Sequence, residues 1–183
     1  MMRTAAWAIG ALLLAGIVHI VTVFGVPHHA VADPWREIGA IAGDGAFVRL
    51  PRATSAERPL PGLDPAMTHA VCRFSLDKGP VRIRAEVAEG YWSLSLLDLH
   101  GLWVWGVDNR AAEQKPIDIL VATHVQVAQM RESLPDEFED VVIVDWSGQE
   151  GMAIYKILAS PRSREAEVEA ALGSARCTPA PLS

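Results

Sequence analysis

The residues best suited to chemistry lie in one short stretch, where polar side chains follow two tryptophans. Trp103 and Trp105 are spaced by two, so in a β-strand they would share one face and could form a stacking platform. Asp108, Asn109 and Arg110 follow directly and could add hydrogen bonds for a sugar or a peptide. The competing interpretation makes Asp108 and Asn109 a turn, Arg110 an ion-pair partner and the tryptophans packing residues of a sheet. Of the two, the sequence favours the second.

The remaining polar residues do not form a catalytic or metal-binding pattern. His28, His29 and Asp33 have side chains that bind metals, but they occupy a short linker that fixes no geometry. His69 and His124 are single histidines without an evident partner. The serines lack the spacing of a nucleophile elbow. We therefore predict no catalytic residue, no metal site and no cofactor.

The N-terminal segment from Ala5 to Val26 has no charged side chain. As a helix rising about 1.5 Å per residue, it matches the ~30 Å hydrocarbon core of a bilayer. Arg3 precedes it, which places the N-terminus in the cytoplasm and residues 33–183 outside the membrane. Cleavage after Ala32 is the alternative, because Ala30-Val31-Ala32 is an A-x-A signal. The apolar run is longer than the ~7–15 residues usual for a signal peptide, so we favour a retained single-span anchor.

Composition limits what residues 33–183 can bind. They are enough for one domain with a hydrophobic core. Arg3 is the only charged side chain before them, so the formal charge of −6 for the whole chain becomes −7 for this part. An acidic domain without a basic stripe is a poor candidate for nucleic acid or for an anionic lipid surface.

The chain has two cysteines, Cys72 and Cys177. In an oxidising compartment an isolated pair is more often bridged than free, so we predict a disulfide between them. The alternative is two unpaired thiols, one buried and one on a C-terminal tail.

Hydrophobic periodicity after residue 33 is mostly that of β-strands. Residues 68–76 and 81–87 alternate between apolar and polar side chains, and strand patterns at 91–99 and 102–107 follow after short turns. These four segments predict a meander. Short helices are predicted at 34–42, 124–133 and 163–175, and further strands at 46–50, 117–121, 140–146 and 152–158. The predicted fold is α+β and mainly antiparallel β, a sandwich or open barrel with peripheral short helices, preceded by one N-terminal transmembrane helix.

Several motifs between Asp64 and Arg110 resemble one bacterial family. They are Asp64-Pro65-Ala66-Met67-Thr68-His69, Gly79-Pro80-Val81, Gly90-Tyr91-Trp92-Ser93-Leu94-Ser95-Leu96-Leu97-Asp98 and Asp108-Asn109-Arg110. The family is catalogued as domain of unknown function 1254, and the chain is most similar to a short, membrane-anchored branch of it. This resemblance implies a β-sandwich-like fold and a location in the bacterial envelope, here the inner membrane and periplasm. It implies no general activity for named residues.

Location is therefore the main functional evidence in the sequence. We expect a periplasmic domain at residues 33–183 that serves as a non-catalytic interaction or accessory module with an envelope protein as partner. The alternative is an enzyme or carbohydrate-binding domain that acts on an envelope component through the region of Trp103, Trp105 and Asp108–Arg110.

Overall fold

The computed structural model describes residues 2–29, 34–51, 63–113, 115–132, 138, 140–158 and 164–180. The chain divides into two compact units, residues 1–32 and residues 33–183. The described part of the first unit is a single helix, α1 (Met2–His29).

Helix α1 contains one segment that is long and apolar enough to cross a membrane. This segment, Arg3–Gly25, has 23 residues and a mean hydropathy of 2.3, and its side chains are exposed. Apolar helices of this kind near an N-terminus occur both as membrane spans and as signal sequences. The Ala30-Val31-Ala32 motif and Asp33 lie outside the described residues.

Strands dominate the described part of residues 33–183. The strands are β1 (Val48–Arg49), β2 (Met67–Ser75), β3 (Val81–Ala85), β4 (Trp92–Leu97), β5 (Trp103–Asp108), β6 (Ile117–Thr123), β7 (Val142–Trp146), β8 (Glu150–Leu158) and β9 (Arg176–Pro179). The helices are α2 (Pro34–Gly39), α3 (His124–Glu132) and α4 (Glu165–Ser174).

The strands form two sheets that pack face to face as a sandwich. One sheet has five antiparallel strands in the order β1-β2-β8-β4-β5, and the other has four in the order β7-β6-β3-β9. Only the β6–β7 pair is parallel among the pairs described, because α3 carries the chain back between these two strands. The predicted α+β fold, mainly antiparallel with peripheral helices, is confirmed, and the sheets do not close into a barrel.

The core lies between the sheets and follows from the two-residue period of the strands. On β4, the side chains of Trp92, Leu94 and Leu96 point inward and are at most 1 % exposed. The Trp92 ring meets the Tyr155 ring of β8 edge to face, with centroids 6.3 Å apart. The Tyr155 hydroxyl donates a 2.9 Å hydrogen bond to the carbonyl of Glu86. The Tyr155 hydroxyl is thereby hydrogen-bonded inside the core, whereas the buried Trp92 indole nitrogen has no hydrogen-bond partner among the described residues.

A disulfide joins the two sheets through this core. Cys72 of β2 is bonded to Cys177 of β9, with Cα atoms 6.5 Å apart and both side chains fully buried. The predicted bridge is confirmed, and the alternative of two unpaired thiols is wrong.

The predicted meander is wrong in its pairing. Strand β3 leaves the sheet that contains β2 and β4 and pairs with β6 and β9 in the opposite sheet. Of the neighbouring strands predicted to pair, only β4 and β5 do so. The alternation of Val81, Ile83 and Ala85 buries one face of β3 equally well in either sheet, so the sequence pattern could not distinguish the two arrangements.

Helix α2 covers part of the outer face of the five-stranded sheet. Ile38 of α2 packs in a cluster with Val71 of β2 and Met152 of β8. Beside it, the guanidinium carbon of Arg73 lies 3.7 Å from the centre of the Trp35 ring, a cation–π contact. This outer face is therefore partly closed by α2, and its other half carries polar residues.

Candidate functional site

The β4–β5 hairpin carries the five residues of the predicted binding site. The Asp98 carboxylate accepts hydrogen bonds from the backbone N–H groups of His100 and Leu102, at 2.9 and 2.8 Å. Gly101 has a φ of 78°, a left-handed conformation that glycine adopts at little cost. The turn after Asp98 therefore sets the position of every residue on β5.

Trp103 and Trp105 lie on opposite faces of the sheet, so the predicted shared stacking platform is wrong. Trp105 is opposite Leu96 and Trp103 is opposite Leu97, because a bulge leaves Val104 without a cross-strand partner. Leu96 and Leu97 are consecutive and point to opposite faces, and their partners on β5 do the same. An inserted residue breaks the rule that a spacing of two keeps side chains on one face.

The two tryptophans consequently have different surroundings. Trp105 is half-buried against the main core and lines a 460 Å³ cavity together with Ile117 of β6 and Val142 of β7. Trp103 is 66 % exposed on the outer face, where its indole nitrogen lies over Gly106. Each tryptophan is therefore a separate surface feature, and the case for carbohydrate binding loses its central element.

Asp108, Asn109 and Arg110 form a turn at the end of β5. The Asp108 carboxylate accepts hydrogen bonds from the backbone N–H groups of Arg110 (3.1 Å) and Ala111 (3.0 Å). The Asn109 backbone N–H donates to the carbonyl of Trp92, and the Arg110 side chain is exposed. This arrangement is the turn that the competing interpretation of the sequence favoured, and Asp108 has a structural role in it.

A row of polar residues crosses the outer face of the same sheet. His69 of β2 is paired with Lys156 of β8, Lys156 with Ser93 of β4, and Ser93 with Asp108 of β5. With neighbouring strands about 4.8 Å apart, the four residues span roughly 14 Å. The sequence shows no partner for His69 and gives no signal at Lys156, because only the pairing of distant strands brings these residues together.

Three members of this row line a concave pocket of about 310 Å³. His69, Lys156 and Ser93 share it with Asp64 and Tyr91, and its apolar walls are Leu63, Met67 and Ile154. His69 and Ser93 are buried, at 6 % and 8 % exposure. Among the described residues, the His69 ring, the Lys156 ammonium and the Ser93 hydroxyl have no hydrogen-bond or ion-pair partner. We call His69, Lys156 and Ser93 the polar row, which leaves out Asp108.

Burial in this pocket lowers the pKa of His69 below its usual 6.5, because a charged imidazolium there loses solvation. The positive charge of Lys156 acts in the same direction, and the Asp64 carboxylate opposes both by a smaller amount. His69 is therefore neutral near pH 7 and presents one ring N–H donor and one acceptor nitrogen.

The lowered pKa of His69 makes the stability of the domain depend on pH. The unfolded chain binds this proton more readily than the folded chain, so the free energy of unfolding will fall as the pH drops below about 6.5. One histidine contributes a slope of at most about 1.4 kcal/mol per pH unit. Urea unfolding between about pH 7.5 and about pH 5.5 should show a smaller slope for His69→Gln than for the parent protein.

Ser93→Ala is the matched control, because it alters the same pocket, keeps His69 and removes no titrating group. It should retain the parent slope. A His69→Gln protein with the same pH dependence as the parent would contradict the assignment.

The second isolated histidine also has a partner in the structure. The Nδ1 atom of His124 lies 2.9 Å from the Asp145 carboxylate, and both side chains are largely exposed. An exposed pair of this kind contributes little to stability and does not form an enclosed site.

The hairpin also presents an apolar surface. Leu99, Leu102, Trp103 and Val104 lie within six residues of one another, and all four side chains are exposed, Leu102 and Trp103 by about two thirds. Strand β5 is the last strand in the order of its sheet, so this side has no further strand to cover it within the described residues. We call these four residues the hairpin surface.

Comparison with known proteins agrees with the sandwich and with the sequence motifs. A family model described as "Protein of unknown function (DUF1254)" matches residues 46–179. The chain belongs to this family. The resemblance to the family seen in the sequence is thereby confirmed, and the matched residues include the polar row and the hairpin surface.

One solved structure shows a similar fold at low sequence identity. The DUF1254 chain is similar to the crystal structure of the VPA0106 protein from Vibrio parahaemolyticus, with a TM-score of 0.52 and 14 % identity, over 67 % of this chain and 32 % of that one. A weaker likeness, with a TM-score of 0.43 and 16 % identity, links it to an uncharacterised protein from Burkholderia cenocepacia over 62 % and 32 % of the two chains. Comparison with curated proteins found no match.

This chain therefore spans about a third of the length of these two proteins. At this identity the likeness concerns the fold alone, so a function for the DUF1254 domain has to be argued from its own surfaces.

Proposed function

We propose that this DUF1254 protein is a non-catalytic accessory module of the bacterial envelope. In this proposal α1 (Met2–His29) holds it at the inner membrane, and the domain docks onto another envelope protein from the periplasmic side. The observation that carries the proposal is the hairpin surface, because monomeric soluble domains rarely leave several large apolar side chains exposed together.

One feature supports a periplasmic location, and a second supports a retained anchor. The Cys72–Cys177 disulfide is fully buried, and such bridges persist in oxidising compartments such as the periplasm. The uncharged run from Ala5 to Val26 in α1 is longer than the usual apolar region of a cleaved signal, which supports a retained anchor. Arg3 then remains on the cytoplasmic side.

The chemistry of the hairpin surface defines the partner that it fits. Leucine, valine and tryptophan side chains require an apolar patch, and an exposed tryptophan is a common anchor of protein interfaces. The domain carries a formal charge of −7. Electrostatic complementarity therefore favours a partner whose apolar patch has a basic rim.

Photo-crosslinking in intact cells tests the docking surface. A photoreactive amino acid at position 103 should form a discrete adduct with one envelope protein, identified by mass spectrometry. Position 125 is the matched control, because Val125 of α3 is an apolar residue with the same exposed fraction as Trp103, 66 %. Leu102→Asp should remove the adduct, and Val125→Asp should leave it unchanged.

The absence of an adduct at position 103, or the same adducts at positions 103 and 125, would contradict docking through the hairpin surface. The anchor has a separate test, which is the N-terminal sequence of the mature protein. A mature N-terminus at Asp33 would show cleavage after Ala32 and contradict a retained helix, with no bearing on the docking test.

A further inference from the structure

We propose that the pocket around the polar row (His69, Lys156 and Ser93) binds the carboxylate group of a small organic acid. This site lies on the outer face of the five-stranded sheet and is separate from the hairpin surface, so it does not depend on the proposed docking function.

The first argument is the unpaired charge at the centre of the row. Lys156 lies on β8, which is paired on both sides, so its backbone position is fixed. Lys156 as a whole is half-buried, and its ammonium has no counter-ion among the described residues. The nearest acidic group in the pocket, Asp64, uses one carboxylate oxygen to accept the Ala66 N–H at 2.8 Å. A partly buried charge without a partner is costly, and a bound anion would remove that cost.

The second argument is the convergence of hydrogen-bond donors. Ser93 and His69 are the direct cross-strand neighbours of Lys156 on either side, so their Cβ atoms lie about 5 Å from that of Lys156. The hydroxyl, the ammonium and one imidazole N–H can therefore reach the same small group. Charge-assisted hydrogen bonds of this kind are the usual way to bind an oxyanion.

The third argument selects a carboxylate over a phosphate. The polar row offers a single positive charge, because burial and Lys156 keep His69 neutral near pH 7. A phosphate dianion would bring two negative charges close to Asp64, whereas a carboxylate brings one. Leu63, Met67 and Ile154 form apolar walls that suit the hydrocarbon part of an organic acid. The 310 Å³ volume is at the small end of ligand sites, which restricts the ligand to a short chain or a single ring.

Titration of the full-length protein in lipid nanodiscs tests this site. The readout is the ring resonance of His69 in protein labelled at histidine, assigned by its loss in His69→Gln. Butyrate should produce a saturable shift at constant ionic strength, and the uncharged analogue butyramide should not. Inorganic phosphate should bind more weakly than butyrate.

Variants separate the polar row from a general charge effect. Lys156→Gln should weaken butyrate binding by at least about tenfold, the change expected when a charge-assisted hydrogen bond is lost. Lys115→Gln is the matched control, because Lys115 is a highly exposed lysine outside the pocket, and it should leave the affinity unchanged. If Lys156→Gln does not fold, Ser93→Ala and the comparison of butyrate with butyramide still decide the question.

Three results would overturn the proposal. They are the absence of a saturable shift with butyrate, equal binding of butyrate and butyramide, and tighter binding of inorganic phosphate than of butyrate. None of them bears on crosslinking at position 103.

Discussion

Replacement of both cysteines by alanine (Cys72→Ala with Cys177→Ala) should lower the free energy of unfolding by about 2–5 kcal/mol. The bridge closes a loop with a sequence separation of 105, for which chain entropy alone predicts about 4.7 kcal/mol. It also links β2 of one sheet to β9 of the other, so its loss weakens the attachment of a four-residue edge strand. Urea unfolding followed by circular dichroism measures the change.

Reductant provides the internal control for the disulfide. The parent protein should lose stability when the bridge is reduced, and the double variant should be insensitive to the same treatment. Equal unfolding midpoints for the parent protein with and without reductant would show that the bridge does not stabilise the domain.

Truncation of Trp92 should be similarly costly. Its side chain is fully buried between the sheets and meets Tyr155 edge to face, so Trp92→Ala removes a large apolar volume that the core cannot refill. We expect a loss of about 3–5 kcal/mol in the free energy of unfolding, measured by urea titration.

Trp103→Ala is the matched control, since it removes the same side chain from the next strand. Trp103 is 66 % exposed, and its removal should change stability by less than about 0.5 kcal/mol. Similar losses for the two variants would contradict the burial difference. An unchanged stability of Trp103→Ala would also establish that variants of the hairpin surface can be tested for docking in a folded protein.

Elements whose pattern is local were predictable from the sequence. The alternation at Val81–Ala85, the turn before Trp103–Asp108 and the helix at His124–Glu132 each depend on neighbouring residues, and the structure places them within a few residues of the prediction. The cysteine pair was predictable for a different reason, because two cysteines in an oxidising compartment leave only one bridge.

The choice of partner strand was not predictable in the same way. Periodicity indicates which side chains of a strand are buried, but it does not indicate which strand is its neighbour in the sheet. The pattern of β3 is therefore also that of a meander strand, and β9 gives no strand signal because Arg176–Pro179 is short and directly follows a helix.

The same reason explains the outcome for the candidate site. Trp103 and Trp105 were correctly identified as residues of one strand, but a single bulged residue, Val104, separates their faces. His69 and Lys156 are 87 positions apart, and only the β2–β8 register makes them neighbours. A site assembled from distant strands has no local signal, whereas the turn at Asp108 has one and was recognised.

The position of β9 has a consequence for the order in which the domain can be completed. Strand β3 (Val81–Ala85) has β9 as one of its two neighbours, and Cys72 cannot find its partner before Cys177 is present. In the proposed export of this domain, α1 enters the membrane first, so β2 and β3 reach the periplasm before β9. During that interval one edge of β3 is open and the Cys72 thiol is free to form mixed disulfides. On the proposed export route the domain is completed only when β9 arrives, and the intermediate that lacks β9 is the form that envelope chaperones and thiol oxidases would encounter.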